Sequence, residues 1–285
     1  MTAEPRELPI AVFDSGVGGL TVLHECLVSL PHEDWVYLGD TARFPYGTRS
    51  RKELAAFARE LAGVLLDRGA KLLVVACNSA TAAALPELRE ELEERVAVVT
   101  VVGPEARQAA RASRSGCVGL VATPATVASG TYERELSKAT GGRSELISVA
   151  SPDLATLIQA GGEVDERTVK CVEEACAPLR QANVDTVILG CTHYPLVRAV
   201  FQRTLGRGVS VISSGEAIAG EVHNQLMTTH LAAPRDRRGS YHFLSSGDPE
   251  EFRRLGTRFL QLPIARVTHV QVAYAPAAPS PEAVA

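Results

Sequence analysis

Two cysteines have surroundings that suit them for chemistry. Cys77 and Cys191 each follow a short run rich in Val, Ile and Leu, and each precedes small polar residues that begin a helical stretch. We therefore expect both thiols at the carboxyl end of a buried strand and at a helix N-terminus. The positive end of a helix favours the thiolate, so this position predicts a thiol pKa below its usual value of about 8.5. Such a thiolate can act as a nucleophile or as a base; the alternative is a pair of inert buried thiols.

A reaction with two bases explains this pair better than nucleophilic catalysis does. A cysteine protease needs a base histidine that meets the thiol across the fold, together with an oxyanion hole. His193 is the only histidine beside either cysteine, and it lies just two residues from Cys191 in the chain. Two matching thiols could instead act together, one taking a proton as thiolate and the other returning one as thiol to the opposite face. Such a pair serves a racemase without a cofactor. Asp14 and His193 would each adjust the proton affinity of one thiol as charged neighbours do, although His193 could also be only a helix cap.

Polar residues follow five of the predicted strands, at the end where open parallel sheets bind their ligands. The turn at 14–20 reads DSGVGGL, and Thr21 stands where a dinucleotide-binding fingerprint requires its third glycine. We expect the backbone N–H groups of this glycine turn to bind a carboxylate, the alternative being a tight turn with nothing bound. Together the five clusters predict one polar pocket; they lie at 14–16, 40–47, 77–79, 123–126 and 191–193.

The remaining cysteines and histidines lack such surroundings. No two cysteines have the spacing of a zinc or thioredoxin site, and six in 285 residues are too few for a disulfide scaffold, so no metal is expected. Four cysteines are interpreted as small buried apolar side chains: Cys26, Cys117, Cys171 and Cys176. Six histidines are interpreted as surface or core residues: His24, His32, His223, His230, His242 and His269.

The composition limits the classes of partner. Among 285 residues 46 % are apolar, and 29 basic against 33 acidic side chains give a formal charge of −4. That balance offers no electrostatic basis for binding nucleic acid or an anionic membrane. No apolar run approaches the ~20 residues of a membrane span, and the first residues lack the pattern of a signal peptide. We therefore expect a cytoplasmic protein that acts on a small molecule.

Strand-like and helix-like stretches alternate along the chain, which predicts an α/β fold with mostly parallel sheets covered by helices. Strands are expected at 9–13, 35–38, 72–76, 96–102, 117–122, 145–149, 186–189, 209–212, 241–244 and 267–272. Helices are expected at 18–29, 50–68, 125–138, 154–160, 166–181, 216–230 and 249–260, with others that end near 93 or begin at Pro104 and Pro195. Residues 275–285, rich in Pro and Ala, are expected to form a disordered tail.

The two halves of the chain resemble each other weakly. In each, a strand runs into a polar loop, at Asp14 and at Thr123, and a later strand ends in a cysteine followed by a small polar residue. An internal duplication of this kind predicts two pseudo-symmetric α/β lobes facing each other across a cleft that holds the active site.

Six segments resemble, in the same order, those of glutamate racemases in the aspartate/glutamate racemase superfamily. They read FDSGVGGL at 13–20, GDTARFPYG at 39–47, ACNSAT at 76–81, ATPAT at 122–126, LGCTHYPL at 189–196 and SGDPEEF at 246–252. The resemblance covers about residues 8–270. The segment CTHYP is similar to glutamate racemases, whereas aspartate racemases tend to carry Glu where His193 stands.

The resemblance implies a fold, a reaction and a site. The reaction is the interconversion of L- and D-glutamate without cofactor or metal, supplying D-glutamate for peptidoglycan. Cys77 would be the base for the D-enantiomer and Cys191 the base for the L-enantiomer, with Asp14 and His193 as their auxiliaries. The residues expected to contact substrate are Asp14, Ser15, Tyr46, Gly47, Asn78, Ser79, Thr123, Thr126, Thr192 and His193. The family also implies a homodimer, with a first lobe of residues 1–100 and 214–274 and a second lobe of residues 101–213.

One position departs from the family pattern. Members often carry a glutamate nine residues after an alanine that matches Ala150, and it is thought to act near one thiol; this chain has Gln159 there. An amide cannot exchange a proton, so we expect an altered rate or pH profile. Ser79 also stands where Thr is common, which is a milder change.

Two other classes of function stay open from the sequence. A sister enzyme, such as an aspartate or hydantoin racemase or a decarboxylase with one catalytic thiol, is disfavoured by His193 and by the presence of both cysteines. A carboxylate-binding protein on the same fold is kept open by Gln159 alone. Isotope exchange at the substrate α-carbon separates the binding protein from either enzyme.

Overall fold

Two parallel β-sheets form the framework of the computed structural model, which describes residues 4–92, 94–161 and 164–272. The described strands are β1 (Ile10–Asp14), β2 (Trp35–Gly39), β3 (Leu72–Val75), β4 (Ala97–Thr100), β5 (Cys117–Ala122), β6 (Glu145–Ala150), β7 (Thr186–Gly190), β8 (Ser210–Ile212), β9 (Tyr241–Ser245) and β10 (Val267–His269). The first sheet has the order β10-β9-β2-β1-β3-β4, and the second has the order β6-β5-β7-β8. We call each sheet with its helices a lobe, the six-stranded one being the first lobe.

Helices connect the parallel strands and cover the sheets. They are α1 (Leu20–Ser29), α2 (Arg51–Leu66), α3 (Asn78–Leu92), α4 (Val102–Ala112), α5 (Pro124–Ala128), α6 (Thr131–Thr140), α7 (Leu154–Ala160), α8 (Glu166–Gln181), α9 (Arg198–Leu205), α10 (Ser214–Thr228) and α11 (Pro249–Leu260). The predicted α/β class, with two parallel sheets flanked by helices, is therefore confirmed. None of the helices in the described ranges has the length and hydropathy that a bilayer crossing requires.

Several helix ends differ from the predictions by one or two residues, as in α1, α2 and α10, and three further differences have a structural reason or change the kind of helix. The single helix predicted at 125–138 is two helices, because Gly130 adopts a left-handed backbone (φ +62°) that interrupts the chain between α5 and α6. The helix predicted to begin at Pro104 begins two residues earlier, at Val102. The helix predicted from Pro195 starts as a 3-10 turn at Tyr194–Val197 before α9. The tail predicted at 275–285 lies outside the described residues.

The strands have continuous apolar sequences because both faces of the sheet are buried. Side chains alternate across a strand, so Ile10 and Val12 pack into one buried cluster while Ala11 and Phe13 pack into another on the opposite face. Both faces of β1 are thus covered, as is usual for parallel sheets. In β1 the polar residue, Asp14, therefore stands at the end of the strand.

The parallel arrangement brings the polar strand ends to one edge of each sheet. Asp14 ends β1, Cys77 follows β3 after one residue, and β1 and β3 are direct neighbours. In the second sheet Thr123 follows β5 and Cys191 follows β7, again as direct neighbours. The two sheets therefore present corresponding polar pairs at corresponding edges.

The last part of the chain returns to the first sheet. The strand β9 pairs with β2, and β10 pairs with β9. Ser246, directly after β9, donates to the carboxylate of Asp40, directly after β2, over 2.6 Å. The returning segment therefore supports the loop that begins at Asp40.

Candidate active site

A cavity of about 420 Å³, counted with its opening to solvent, lies between the strand ends of the two lobes. Both thiols line it, together with most of the residues predicted to bind substrate: Ser15, Tyr46, Gly47, Asn78, Ser79, Thr123, Thr192 and His193. Asp14 and Thr126 lie behind this lining and reach it through hydrogen bonds. Each of the five predicted polar clusters contributes to the cavity wall.

Cys77 sits at the start of α3 but does not have the lowered pKa that this position predicts. Its Sγ accepts a hydrogen bond from the backbone N–H of Ala80 over 3.4 Å, as expected at a helix N-terminus. The residue is only 4 % exposed, however, and burial together with the nearby charge of Asp14 raises the thiol pKa to about 12. Desolvation of the thiolate outweighs the helix end, so the resting group is a thiol.

The pKa of Cys191 also lies above its usual value, although the sequence predicted that it would be lowered. Burial raises the pKa of its thiol, with further raising by Cys77 and Asp14. The backbone N–H of His193 favours the thiolate without reversing the shift. Because the charge of Cys77 acts on Cys191, the two sulfurs belong to one electrostatic system.

His193 is a neutral imidazole, whereas the sequence suggested a charged neighbour. Burial lowers its pKa from 6.5 to about 3. Its Nδ1 lies 3.8 Å from Cys191 Sγ, and its Nε2 lies 2.9 Å from the carbonyl oxygen of Gln159. An amide oxygen can only accept, so the ring proton lies on Nε2 and leaves the lone pair of Nδ1 toward the thiol. His193 can therefore accept a hydrogen bond from the Cys191 thiol.

Asp14 is held by the glycine turn that follows it. Its Oδ2 accepts from the backbone N–H groups of Gly16 (3.2 Å) and Gly19 (3.0 Å), and its Oδ1 accepts from the Thr192 hydroxyl over 3.4 Å. The carboxylate that these N–H groups bind is thus the chain's own, and the expectation of a free ligand-binding turn is wrong in that respect. Burial raises the pKa of Asp14, while these donors oppose the shift.

Hydroxyl groups from both lobes meet beside Cys77. Ser79 Oγ lies 2.8 Å from Thr123 Oγ1 and 3.3 Å from Thr126 Oγ1. The backbone N–H of Ala125 donates across the lobes to the carbonyl of Gly47 over 2.9 Å. These contacts hold donors from both lobes around one space that would suit a carboxylate.

Asn78 presents an unpaired oxygen. Its Nδ2 donates to the Tyr132 hydroxyl over 2.7 Å and to Glu105 Oε2 over 3.2 Å. Its Oδ1 is buried and has no hydrogen-bond partner among the described residues. Glu105 also accepts from Tyr132 and Ser214, and burial raises its pKa to about 7.

Several contacts of the site escaped sequence reasoning. Phe44 lines the cavity, and its ring lies 5.3 Å from that of His193; Phe259 contacts the same imidazole edge-on at 5.2 Å. Phe44 stands inside the GDTARFPYG segment, so the motif itself contained that signal. Pro152 and Ala155 also line the cavity. They follow the end of β6, which is the kind of strand end that pointed to the other clusters.

The arrangement can move protons on either side of a small polar molecule. Two buried thiols and a neutral imidazole line one cavity, and the Asp14 carboxylate lies behind its wall. Among the described residues, no group of three His, Cys, Asp or Glu side chains is placed to hold a metal ion.

Known proteins share this chain's sequence and fold. A family model described as Asp/Glu/Hydantoin racemase matches residues 22–222. The glutamate racemase of Listeria monocytogenes is 41 % identical over 263 residues, which cover 92 % of this chain and 98 % of that protein. The crystal structure of glutamate racemase isoform RacE1 from Bacillus anthracis matches with a TM-score of 0.87 and 36 % identity over 94 % of this chain and 98 % of the other. Glutamate racemase from Francisella tularensis, solved in complex with D-glutamate, matches with a TM-score of 0.86 and 29 % identity over 94 % and 99 %.

Proposed function

The chain belongs to the Asp/Glu/hydantoin racemase family, and on this premise we propose that it interconverts L- and D-glutamate by proton transfer between two thiols, without a cofactor. The observation that carries the proposal is that Cys77 and Cys191 line one cavity from equivalent strand ends of the two lobes. The similarity to curated glutamate racemases over nearly the whole chain favours glutamate as the substrate.

The chemistry balances over one turnover. For D-glutamate, the thiolate of Cys77 removes the α-hydrogen as a proton, so that the C–H bond breaks and an S–H bond forms. The thiol of Cys191 then gives its proton to the opposite face of the carbanion and becomes the thiolate. L-glutamate is processed by the reverse sequence. Racemisation therefore leaves the enzyme with its proton on the other sulfur.

One thiol must lose a proton before the reaction begins, because burial raises both thiol pKa values. His193 Nδ1 faces Cys191 and can accept a hydrogen bond from its thiol, while the charge of Asp14 raises the pKa of both thiols. The α-ammonium of a bound substrate stabilises a neighbouring thiolate by its positive charge. Substrate binding and thiol ionisation are therefore coupled.

The polar lining provides contacts for both ends of glutamate. We assign this role to residues of the cavity wall, with Asp14 and Thr126 behind them: Ser15, Tyr46, Gly47, Asn78, Ser79, Thr123, Thr192 and His193. A cavity that closes tightly around the substrate excludes water, which would otherwise quench the carbanion.

The cellular setting is part of the same proposal. We place the enzyme in the cytoplasm as a homodimer that supplies D-glutamate for peptidoglycan. We also keep the division into a first lobe of residues 1–100 and 214–274 and a second lobe of residues 101–213. The pairing of β9 with β2 supports that division.

Circular dichroism of glutamate tests the proposal directly. Purified protein without added cofactor is incubated separately with L-glutamate, D-glutamate and, as a control substrate, L-aspartate. We expect the signal of both glutamate enantiomers to decay to zero while that of aspartate persists. Decay with aspartate alone would assign the enzyme to a sister specificity, and no decay with any of the three would contradict racemisation.

A further inference from the structure

Glu105 is a buried carboxylate for which the proposed reaction has no use. It lies in the first turn of α4, is fully buried, and does not line the cavity. It nevertheless accepts hydrogen bonds from residues of three other helices: Asn78 of α3, Tyr132 of α6 and Ser214 of α10. Burying a carboxylate in such a position costs free energy. We therefore examine its hydrogen-bond partners for a function that would explain it.

The partner that reaches the cavity is Asn78. Glu105 and Tyr132 together accept both amide N–H groups of Asn78, because Nδ2 contacts Glu105 Oε2 at 3.2 Å and the Tyr132 oxygen at 2.7 Å. These contacts select one orientation of the amide, with Nδ2 directed toward Glu105 and Tyr132. Its Oδ1 is left as a buried acceptor without a partner among the described residues, and the side chain lines the cavity beside Cys77.

A buried acceptor without a partner is stabilised when a ligand donates a hydrogen bond to it. Glutamate at neutral pH has two carboxylates, which only accept, and one α-ammonium, which donates three hydrogen bonds. We propose that Glu105 is a positioning residue that locks the Asn78 amide so that Oδ1 receives the α-ammonium of the substrate. This inference rests on the proposed function, because it takes an amino acid to be the ligand.

The proposal makes Glu105 a determinant of specificity. An Asn78 amide free to turn would present its NH₂ group to the ammonium and would repel it. Held by Glu105, the amide favours ligands with an ammonium over the same dicarboxylates without one. It also holds that positive charge next to Cys77, where it favours the thiolate.

The test compares Glu105→Gln with the wild type, using D-glutamate and glutarate, the matching dicarboxylate without the ammonium. In Glu105→Gln the new amide can donate to Asn78, so the lock is lost while the volume is kept. Hydrogen bonds to charged groups suggest a rise in KM for glutamate of about 10-fold or more. The inhibition constant of glutarate should change less than about 2-fold. Tyr132→Phe removes the second acceptor and should show the same pattern more weakly.

Glu33→Gln is the matched control. Glu33 is also buried, pairs with Lys71 over 2.5 Å, and lies outside the cavity wall. The Glu33→Gln variant should have a lower melting temperature, while the KM for glutamate and the inhibition constant of glutarate stay unchanged. If the glutamate KM stays constant in folded Glu105→Gln, or if glutarate weakens in parallel with glutamate, the proposal is overturned.

Calorimetry separates this proposal from the racemase proposal. If the wild type does not racemise glutamate, the proposed reaction fails, while titration of D-glutamate and glutarate still decides the role of Glu105. A selective loss of D-glutamate affinity in Glu105→Gln supports the lock, and equal losses for both ligands reject it.

Discussion

The proposed reaction requires one of the two thiols to ionise, but the surroundings of both thiols disfavour the thiolate. Burial raises the pKa of both thiols, and the N–H donors at the start of α3 and at His193 recover only part of the cost. Their deep position keeps water from the carbanion, so the same desolvation that hinders ionisation protects the intermediate.

The assignment of one face to each thiol can be tested with serine. In Cys77→Ser the hydroxyl is a poorer base, so removal of the α-proton from D-glutamate should become the slow step. Because the equilibrium constant between enantiomers is one, kcat/KM must fall equally in both directions. The equilibrium constant does not require the kinetic isotope effects to be equal in the two directions. We expect a larger effect with α-deuterated D-glutamate than with the L-form, and the reverse in Cys191→Ser.

Alanine at either position is the complementary variant. Cys77→Ala or Cys191→Ala should abolish racemisation while the protein stays folded. Full activity in either variant, or identical isotope effects for both enantiomers in both serine variants, would contradict the two-base mechanism.

Gln159 sets the tautomer of His193, and a carboxylate in its place should change the protonation of the ring. In Gln159→Glu the negative charge beside Nε2 favours the imidazolium and should raise the His193 pKa from about 3. A protonated ring donates from Nδ1 to Cys191 and stabilises its thiolate. The acid limb of kcat/KM should therefore move to lower pH, by about one unit.

Two measurements check this shift. Histidine NMR follows the imidazole titration, and circular dichroism gives kcat/KM against pH. The exposed Gln181→Glu adds the same charge at the end of α8 and should leave both unchanged. An acid limb that does not move in Gln159→Glu would show that His193 does not control Cys191.

The sequence predicted which residues line the cavity better than it predicted their protonation. Cys77 and Cys191 could be chosen because they follow apolar runs, and parallel strands bring such ends together. The direction of their pKa shifts could not be predicted, because it depends on how completely the other lobe covers them. Glu105 gave no signal either, since its partners come from three distant parts of the chain.

At the scale of elements, the loop after β2 depends on the segment after β9. Asp40 accepts from Arg43 over 2.5 Å, from Tyr46 and from Ser246. Because Tyr46 lines the cavity, this buried carboxylate transmits the position of the C-terminal segment to the site.

Removing the Ser246 hydroxyl tests that link. In Ser246→Ala one oxygen of the buried Asp40 loses its donor, which should lower the free energy of unfolding by about 1–3 kcal/mol. The KM for glutamate should rise several-fold because the Tyr46 loop loosens. Urea unfolding and initial rates measure the two effects.

Ser240→Ala is the control for this variant. Its hydroxyl donates to Asp34 over 2.7 Å in an exposed position, so stability should change by less than about 1 kcal/mol and KM should stay constant. If Ser246→Ala loses stability but keeps the KM of the wild type, the hydrogen bonds of Asp40 stabilise the fold and do not affect substrate binding.

Local signals explain which elements could be predicted. The helices α8 and α11 were predicted with their observed bounds; Asp165 caps one and Asp248 followed by Pro249 begins the other. The break between α5 and α6 was missed because it depends on the left-handed backbone of Gly130, and an isolated glycine can also lie within a helix.

At the scale of the molecule, the lobes meet closely at Gly18. A Cβ added there would lie 2.4 Å from His193 Cε1 and 2.5 Å from Thr192 Oγ1. The hydroxyl of Thr21 also donates across the lobes to the carbonyl of Thr192 over 2.9 Å. Glycine at this position therefore permits the approach that encloses the site.

Gly18→Ala should hold the lobes apart and displace the imidazole. A misplacement of about 1 Å in a catalytic group can cost about 100-fold, and we expect a loss of that order in kcat/KM. Small-angle scattering with saturating D-glutamate should show a larger radius of gyration than for the wild type.

Gly63→Ala is the matched control, because a Cβ there meets nothing within 4 Å. It should keep full activity and gain about 0.5–1 kcal/mol of stability, since alanine is favoured within a helix such as α2. Wild-type activity in Gly18→Ala would contradict the need for this close approach.

The buried, protonated state of both cysteines also bears on survival under oxidative stress. Peroxide attacks thiolates that it can reach, and the resting enzyme offers it neither ionisation nor access. Vulnerability to peroxide should then appear mainly during turnover, when one sulfur is ionised. An enzyme that depends on two reduced cysteines would in this way be safest when idle, and its inactivation by peroxide would require its own substrate.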